Sequence, residues 1–538
     1  MVPRCIWKMA QTCSVPFHCL ANHSTKLTTM KTSNIFRLLL ITGLFLQLSC
    51  VKDTSNFDYV KGNPVKLSFD ITSALVAVID EPLDIVPKRE FEVAGKTIND
   101  YDHEWYQDGK LLSKDADLVY LGSKPGYVML NYYMIDKETG LRFETGPVTM
   151  TVISPYETGW VVLYEKDGES EIAHIRKTPT GYRDQLALYK DKNNGESLGS
   201  HPLRIKDYYV NGGRGVGIIQ QGGQGSVELS GFNYEKRLVV NESFVGGRPA
   251  GLNPVNAGFY ETADLLVNDD GKLYARLFQT NPIAFTVPWL NIPLEVSKGM
   301  KIKHLWDVQS GYTMYTVMYD ELNNRLLYAS LKLVQNITFG ATLKIDTFPP
   351  PPVYLPVPAG YINPSLPLTG YDYIWGGTFK DDLIVSSNPV FIVREQATGE
   401  VYLQPFTFMN LMGIQTIHTP GMKQTFTGKQ YLNANTKFVA IKTRSFLFFS
   451  GDADNKGLYY YDVSIGGATK KYHTLPASIT ALTQSEDGQQ LAVGLADGTV
   501  ILYDISSQSL LSGGPVELHR LSGLGRIADI SLRGGSPQ

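Results

Sequence analysis

The chain has 538 residues, 19% of them charged, and a formal net charge of −3. Near-neutrality excludes the basic field that nucleic-acid binding needs, and a hydrophobic content of 43% excludes a disordered chain. Fifty glycines, 29 prolines and 31 tyrosines predict many turns between aromatic strands, and so an all-β protein of more than one domain.

Met30 is followed by Lys31 and Arg37, then by the apolar run Leu38 to Leu46, then by Ser49 and Cys50. A basic stretch, a short apolar stretch and a small residue make a secretory signal peptide over 30–49. The apolar run is well short of the roughly 20 residues a spanning helix needs. Leu46-Gln47-Leu48-Ser49-Cys50 resembles a bacterial lipobox, with Gln47 departing from the usual aliphatic residue. The resemblance implies a lipid-modified Cys50 and attachment to the outer membrane through acyl chains. Residues 1–29 hold Cys5, Cys13 and Cys19 without periodicity, and read as an upstream extension assigned in error before a start at Met30. The body beyond Cys50 then has no cysteine, which excludes thiol nucleophiles, disulfides and cysteine zinc sites. Residues 50–62 read as a polar tether. Lys52-Asp53 looks like the export signal of surface lipoproteins of Bacteroidota, and a solvated linker fits the same residues.

Residues 63–154 predict a small sandwich. Val65 to Ile71 alternates apolar and polar side chains, the pattern of a half-buried strand. Further strands are expected at Leu75 to Ile79, His103 to Gln107, Leu118 to Leu121, Gly126 to Asp136 and Val148 to Ile153, with turns at Asp108-Gly109 and Lys124-Pro125-Gly126. Short strands at this density suggest an immunoglobulin-like sandwich with Trp105 buried mid-strand. His103 and Glu104 are adjacent on a strand and face opposite sides, which is a structural pattern rather than a catalytic pair. The segments 101–106 and 126–140 resemble the PKD-like domains of Bacteroidota surface lipoproteins, which implies a spacer or binding module.

Residues 155–538 repeat a unit of strand, tight turn, strand. The copies begin at Trp160, Ala263, Tyr312, Val390, Phe446 and Ile479, with a weaker one at Val227 to Val240. The copy over 479–504, with its Asp487-Gly488 and Asp497-Gly498 turns, resembles a WD-repeat blade. The expectation is a β-propeller of six to eight blades, about seven. A propeller must join its ends or leave sheet edges open. Ile527 to Leu532 alternates like the opening strand of a blade, and Trp160 lacks a preceding strand, so 527–532 is predicted to complete the blade of Trp160 to Glu165. The alternative is pairing within the last blade.

No catalytic signature stands out. The nine histidines include no His-Glu-x-x-His and no zinc spacing, and no Gly-x-Ser-x-Gly occurs. The glycine-rich run Asn211 to Gly225 lacks the Lys-Ser/Thr of a P-loop and reads as turns and bulges. Asp452 to Gly457 echoes a calcium loop, but Lys456 stands where an oxygen ligand is needed, so a hairpin turn is expected. Asp269-Asp270 falls in a turn, and neither it nor Asp381-Asp382 can be matched to a glycosidase partner by sequence. No catalytic residue, metal site or cofactor is therefore assigned. Candidate ligand-binding rings are Trp289, Trp306, Tyr371, Tyr373 and Trp375, since flat aromatic faces with polar neighbours suit sugars or peptides. Phe348 to Pro356 reads as a stiff connection between blades.

The order of lipobox, PKD-like sandwich and propeller resembles the PKD-like family lipoproteins of Bacteroidota. That resemblance implies a non-enzymatic, cell-surface protein capturing a glycan or peptide beside a TonB-dependent importer of the starch-utilisation type. The alternative is a propeller enzyme acting on polysaccharide, a hydrolase or lyase, which would need converging acids or a metal at its centre.

Overall fold

The computed structural model describes residues 62–69, 75–210, 213–260, 263–277, 285–306, 315–333, 341–379, 386–411, 415–441 and 444–534. Cys50, the signal segment and Asp381-Asp382 lie outside them. The described chain is all-β, with two helices of five residues each, Leu188–Lys192 and Ser507–Leu511. No helix among the described residues is long and apolar enough to cross a membrane.

Ten strands between Val65 and Ile153 form the N-terminal sandwich. Its main sheet orders Leu75–Val78, Val148–Ile153, Gly126–Asp136, Tyr101–Gln107 and Lys110–Ser113, and Arg142–Glu144 pairs with Gly126–Asp136. Alternation sends Leu130, Tyr132 and Met134 inward from one strand. They meet Trp105, which is fully buried between Phe69 and Tyr132, with ring centroids 5.9 and 4.6 Å away. His103 bonds the Tyr132 hydroxyl at 2.8 Å, while Glu104 pairs with Arg142 at 3.0 Å on the other face. Both roles are structural.

Beyond the sandwich, seven antiparallel sheets follow one another among the described residues. Five of them are meanders of adjacent strands in chain order; the fifth pairs Tyr371–Thr378 with Pro389–Glu395, and the latter with Val401–Leu411. All seven repeats read from the sequence fall on these sheets, one on each. The first sheet is joined by the end of the chain. Arg526–Arg533 pairs antiparallel with Gly159–Lys166, Trp160 opposite Leu532 and Val162 opposite Ile530, as the alternation of 527–532 predicted. The driving force is visible in the burial: Ile527, Ile530, Trp160, Val162 and Tyr164 share one core cluster with Leu502 and Leu521 of the seventh sheet.

The first strands of successive sheets pack on one another. Arg526–Arg533 lies against Ser200–Val210, which lies against Pro254–Phe259, which lies against Ile302–Leu305. Trp306 then donates to the Tyr373 hydroxyl at 2.8 Å, joining the fourth sheet to the fifth. Tyr371–Thr378 packs on Phe438–Ala440, that on Ile479–Gln484, and that on Arg526–Arg533 again.

The glycine-rich segment differs from the sequence expectation. Gly213–Gly222 is a ten-residue strand, not a series of turns. A Cβ on Gly215 would lie 2.1 Å from the Tyr208 ring, and one on Gly217 would lie 2.3 Å from Phe259. The glycines leave room for those two rings, which stack at 4.2 Å. Residues 348–370 connect the fourth and fifth sheets without a strand, Phe348 being buried under the stretch.

The sandwich is tied to this array. Tyr156 of the linker is buried, with its ring 4.8 Å from Tyr234 and 5.5 Å from His174. Glu81 of the sandwich accepts from Arg176 and from Arg183, the latter at 2.5 Å.

Candidate functional site

Of the five sequence-predicted rings, two are core residues and Tyr371, Tyr373 and Trp375 are half-buried. Trp289 is 0% exposed and Trp306 is 2% exposed. Trp289 covers the Arg276 guanidinium at 4.8 Å, and Trp306 belongs to the core between the fourth and fifth sheets. Tyr373 stacks on Tyr319 at 4.2 Å, and burial raises its pKa far above the ordinary range. Tyr371 packs partly against the same core, and Trp375 stacks on Phe438 at 5.4 Å. In a chain this rich in strands, large rings fill the spaces between sheets before they face solvent.

What the structure does assemble is a cavity of about 620 Å³ where the first strands of four sheets meet the segment ahead of Phe438–Ala440 and a hairpin turn of the sixth sheet. Bulges build its wall. Strand register slips by one residue at Leu203, Val255, Thr480 and Ala528, each in the first strand of its sheet, and all four line the cavity. A bulged residue leaves the ladder and is re-aimed. The same slip occurs at Lys303 and Ile374 in the fourth and fifth sheets.

The lining is polar and cationic. Arg204, Lys437 and Arg526 contribute three positive charges, while Asp454 is the one carboxylate among the described lining residues. Asn435, Asn455, Gln221, Ser478 and Thr480 add amides and hydroxyls. Asp454 is engaged at 3.4 Å by Lys456, and Asn455 is locked in place by donating to Ile479 O at 2.7 Å. The Asp452 to Gly457 segment is thus a hairpin turn whose tip reaches the cavity. Burial lowers the Lys437 pKa, and the neighbouring Arg204 guanidinium lowers it further. Among the described residues Lys437 has no carboxylate within ion-pair distance, and the two arginines have only long pairs, Arg204 with Asp529 and Arg526 with Glu165, both at 3.9 Å.

Chain order hid this site. Its three cations come from segments remote in sequence, and no local motif marks them. The one available signal was the Arg526 to Leu532 alternation, which placed that strand beside the first repeat.

A second charged cluster is sealed inside. Arg276 donates to Asp264 at 2.5 Å and to Glu228 at 2.8 Å, and the Tyr208 hydroxyl donates to Glu228 at 2.5 Å. Burial pushes the Asp264 pKa up to about 7 despite the guanidinium. The cluster has no opening to solvent, since Glu228, Asp264 and Arg276 are each at most 2% exposed, so it serves as structure. No group of three or more His, Cys, Asp or Glu suited to a metal occurs among the described residues.

Residues 50–202 match the PKD-like family, from Cys50 through the sandwich and the first sheet to the start of the second. No curated protein matches the chain in sequence. Among solved structures, a quinoprotein alcohol dehydrogenase-like protein from Bacteroides thetaiotaomicron is similar at 13% identity and a TM-score of 0.36, covering 88% of this chain and 100% of that one. The dihydro-heme d1 dehydrogenase NirN is similar at 13% identity and a TM-score of 0.38, covering 71% of this chain and 76% of its own. AztD of Citrobacter koseri is similar at 9% identity and a TM-score of 0.34, covering 76% and 96%. At these identities, what those proteins bind or oxidise says nothing about this chain.

Proposed function

We propose that this protein is a lipid-anchored, non-enzymatic capture protein of the outer cell surface, serving a TonB-dependent nutrient importer. Cys50 carries the anchor, the PKD-like sandwich is the spacer, and the seven sheets are the blades of a β-propeller whose central cavity holds the ligand, a glycan or peptide. The observation that carries the reading is the cavity itself: four first strands and a hairpin turn converge on a polar chamber whose one carboxylate among the described lining residues is already engaged. Hydrolysis of a glycosidic bond uses two carboxyl groups at a set separation, so the lining favours holding a ligand over cleaving it. The cyclic packing of first strands and the pairing of Arg526–Arg533 with Gly159–Lys166 support the propeller. The family match opening at Cys50 supports the anchor.

The test is expression in a Bacteroidota host with a clickable fatty acid in the medium. The wild-type chain is expected to incorporate the label, sediment with outer membranes and be digested by protease added to intact cells. Cys50→Ser is expected to lose the label and leave the membrane fraction. An unlabelled wild-type chain, or one that resists protease on intact cells while lysis exposes it, would refute the surface anchor. A glycan and peptide array probed with residues 51–538 tests the capture role, and an array without a single binder would refute it.

A further inference from the structure

The cavity's charge pattern says more than its existence. Three cations face one chamber, and the carboxylates nearest to two of them stand off at 3.9 Å. Lys437 has none among the described residues, yet it is drawn into a partly buried position. Bringing like charges together while desolvating one of them costs free energy, and a fold that only needed stability would neutralise them or send them to solvent. Neighbouring clusters in the same chain do so: Arg214 holds Asp207 in a two-oxygen pair at 3.0 Å, and Arg325 holds Asp320 at 2.7 Å. The cavity trio lacks such close pairs. An anionic ligand that accepts from all three would supply the missing counter-charge.

The rest of the lining narrows the class. Asn435, Gln221, Ser478 and Thr480 offer donors and acceptors suited to hydroxyl groups, and no aromatic ring is among the described lining residues. A ligand recognised by stacking of its face has nothing to stack on, whereas one recognised by charge and hydroxyl groups has both. The volume, about 620 Å³, is in the range that holds a small oligosaccharide rather than a single ion.

We propose that the central cavity binds an acidic saccharide, with Arg204, Lys437 and Arg526 holding its carboxylate or sulfate groups and the amide and hydroxyl side chains holding its ring hydroxyls. This deepens the capture role and rests on it.

Calorimetry on residues 51–538 decides the matter with four probes: digalacturonate, a sulfated disaccharide, the neutral digalactose and inorganic sulfate. The two acidic disaccharides distinguish carboxylate from sulfate as the recognised group. Binding of at least one of them is expected, about tenfold or more tighter than digalactose, and weakening as salt rises from about 25 to about 250 mM. Lys437→Gln and Arg204→Gln are each expected to cost about tenfold in affinity with an unchanged melting temperature. Arg526→Gln, at an exposed position, is the variant that keeps the test valid should either of the others fold poorly. Equal affinity for acidic and neutral disaccharides, or acidic binding untouched by all three substitutions, overturns the proposal. So does binding of inorganic sulfate as tightly as of the disaccharides. Binding of neutral glycans or peptides alone would overturn the acidic assignment and leave the capture role standing, whereas an array and calorimetry without any binder would remove both.

Discussion

Deleting residues 526–538 is expected to destroy the folded array of sheets. The deletion strips the partner from Gly159–Lys166, so a long edge strand with unpaired amides and carbonyls faces solvent. It also removes Ile527 and Ile530 from the core they share with Trp160, Val162, Tyr164 and the seventh sheet. Each buried aliphatic side chain is worth about 1.5–3 kcal/mol, and each exposed apolar neighbour adds to the loss. Against a typical total stability of about 5–15 kcal/mol, removal of a whole closing strand leaves little margin. The expected result is aggregation or a chain that elutes as a large species in size exclusion. Ile527→Ala is the graded version. Its side chain is fully buried against Gly494, and about 2–5 kcal/mol should be lost in urea denaturation without loss of solubility. A deleted chain that stays monomeric and melts within a few degrees of wild type would show that the terminal strand does not hold the array together.

The closing strand was legible because its signal is local. Apolar–polar alternation over Ile527 to Leu532 needs no knowledge of the partner, and the first repeat visibly lacked a strand. Turn chemistry made the hairpins legible in the same way: Asp167-Gly168, Asn323-Asn324 and Asp497-Gly498 each sit between paired strands. The second sheet was read only in part, because its main hairpin, Ser200–Val210 with Gly213–Gly222, breaks the rule that strands avoid glycine. The reason lies in three dimensions, in the Tyr208 and Phe259 rings that need the space. Trp289 and Trp306 misled for the opposite reason, since loop-like flanks with Pro288 and Asp307 say nothing about which sheets close over a ring. The cavity was beyond local reading altogether. Arg204, Lys437 and Arg526 meet only once the first strands are brought together in cyclic order. One buried signal was available and unused: Asp264 and Arg276 interrupt otherwise apolar strands at positions that pair directly opposite.

Arg276→Met should be the most damaging single substitution in the sheets. Arg276 is 2% exposed and lies between two carboxylates that are themselves fully buried. Removing the guanidinium strands Asp264 and Glu228 in a dry interior, a loss of about 3–5 kcal/mol for breaking a buried pair. Urea denaturation should therefore show a large drop in midpoint, or no folded population. Because the cost comes from stranded charge rather than lost packing, Arg276→Met combined with Glu228→Gln and Asp264→Asn should recover much of the loss. A single variant that loses under about 1 kcal/mol would show that the trio is not held as an ionic unit. The same trio sets a pH dependence. Two carboxylates share one guanidinium, and desolvation pushes Asp264 up to about 7, above its unfolded value near 4. The folded state then holds the proton more tightly than the unfolded state. This group's contribution to stability is full below about pH 4, declines as pH rises from there to about 7, and is constant above. Asp264→Asn should flatten that part of the stability profile, while Asp269→Asn, in an exposed turn nearby, should leave it unchanged. A wild-type profile that rises or stays level across the window, and does not respond to Asp264→Asn, would place the proton elsewhere.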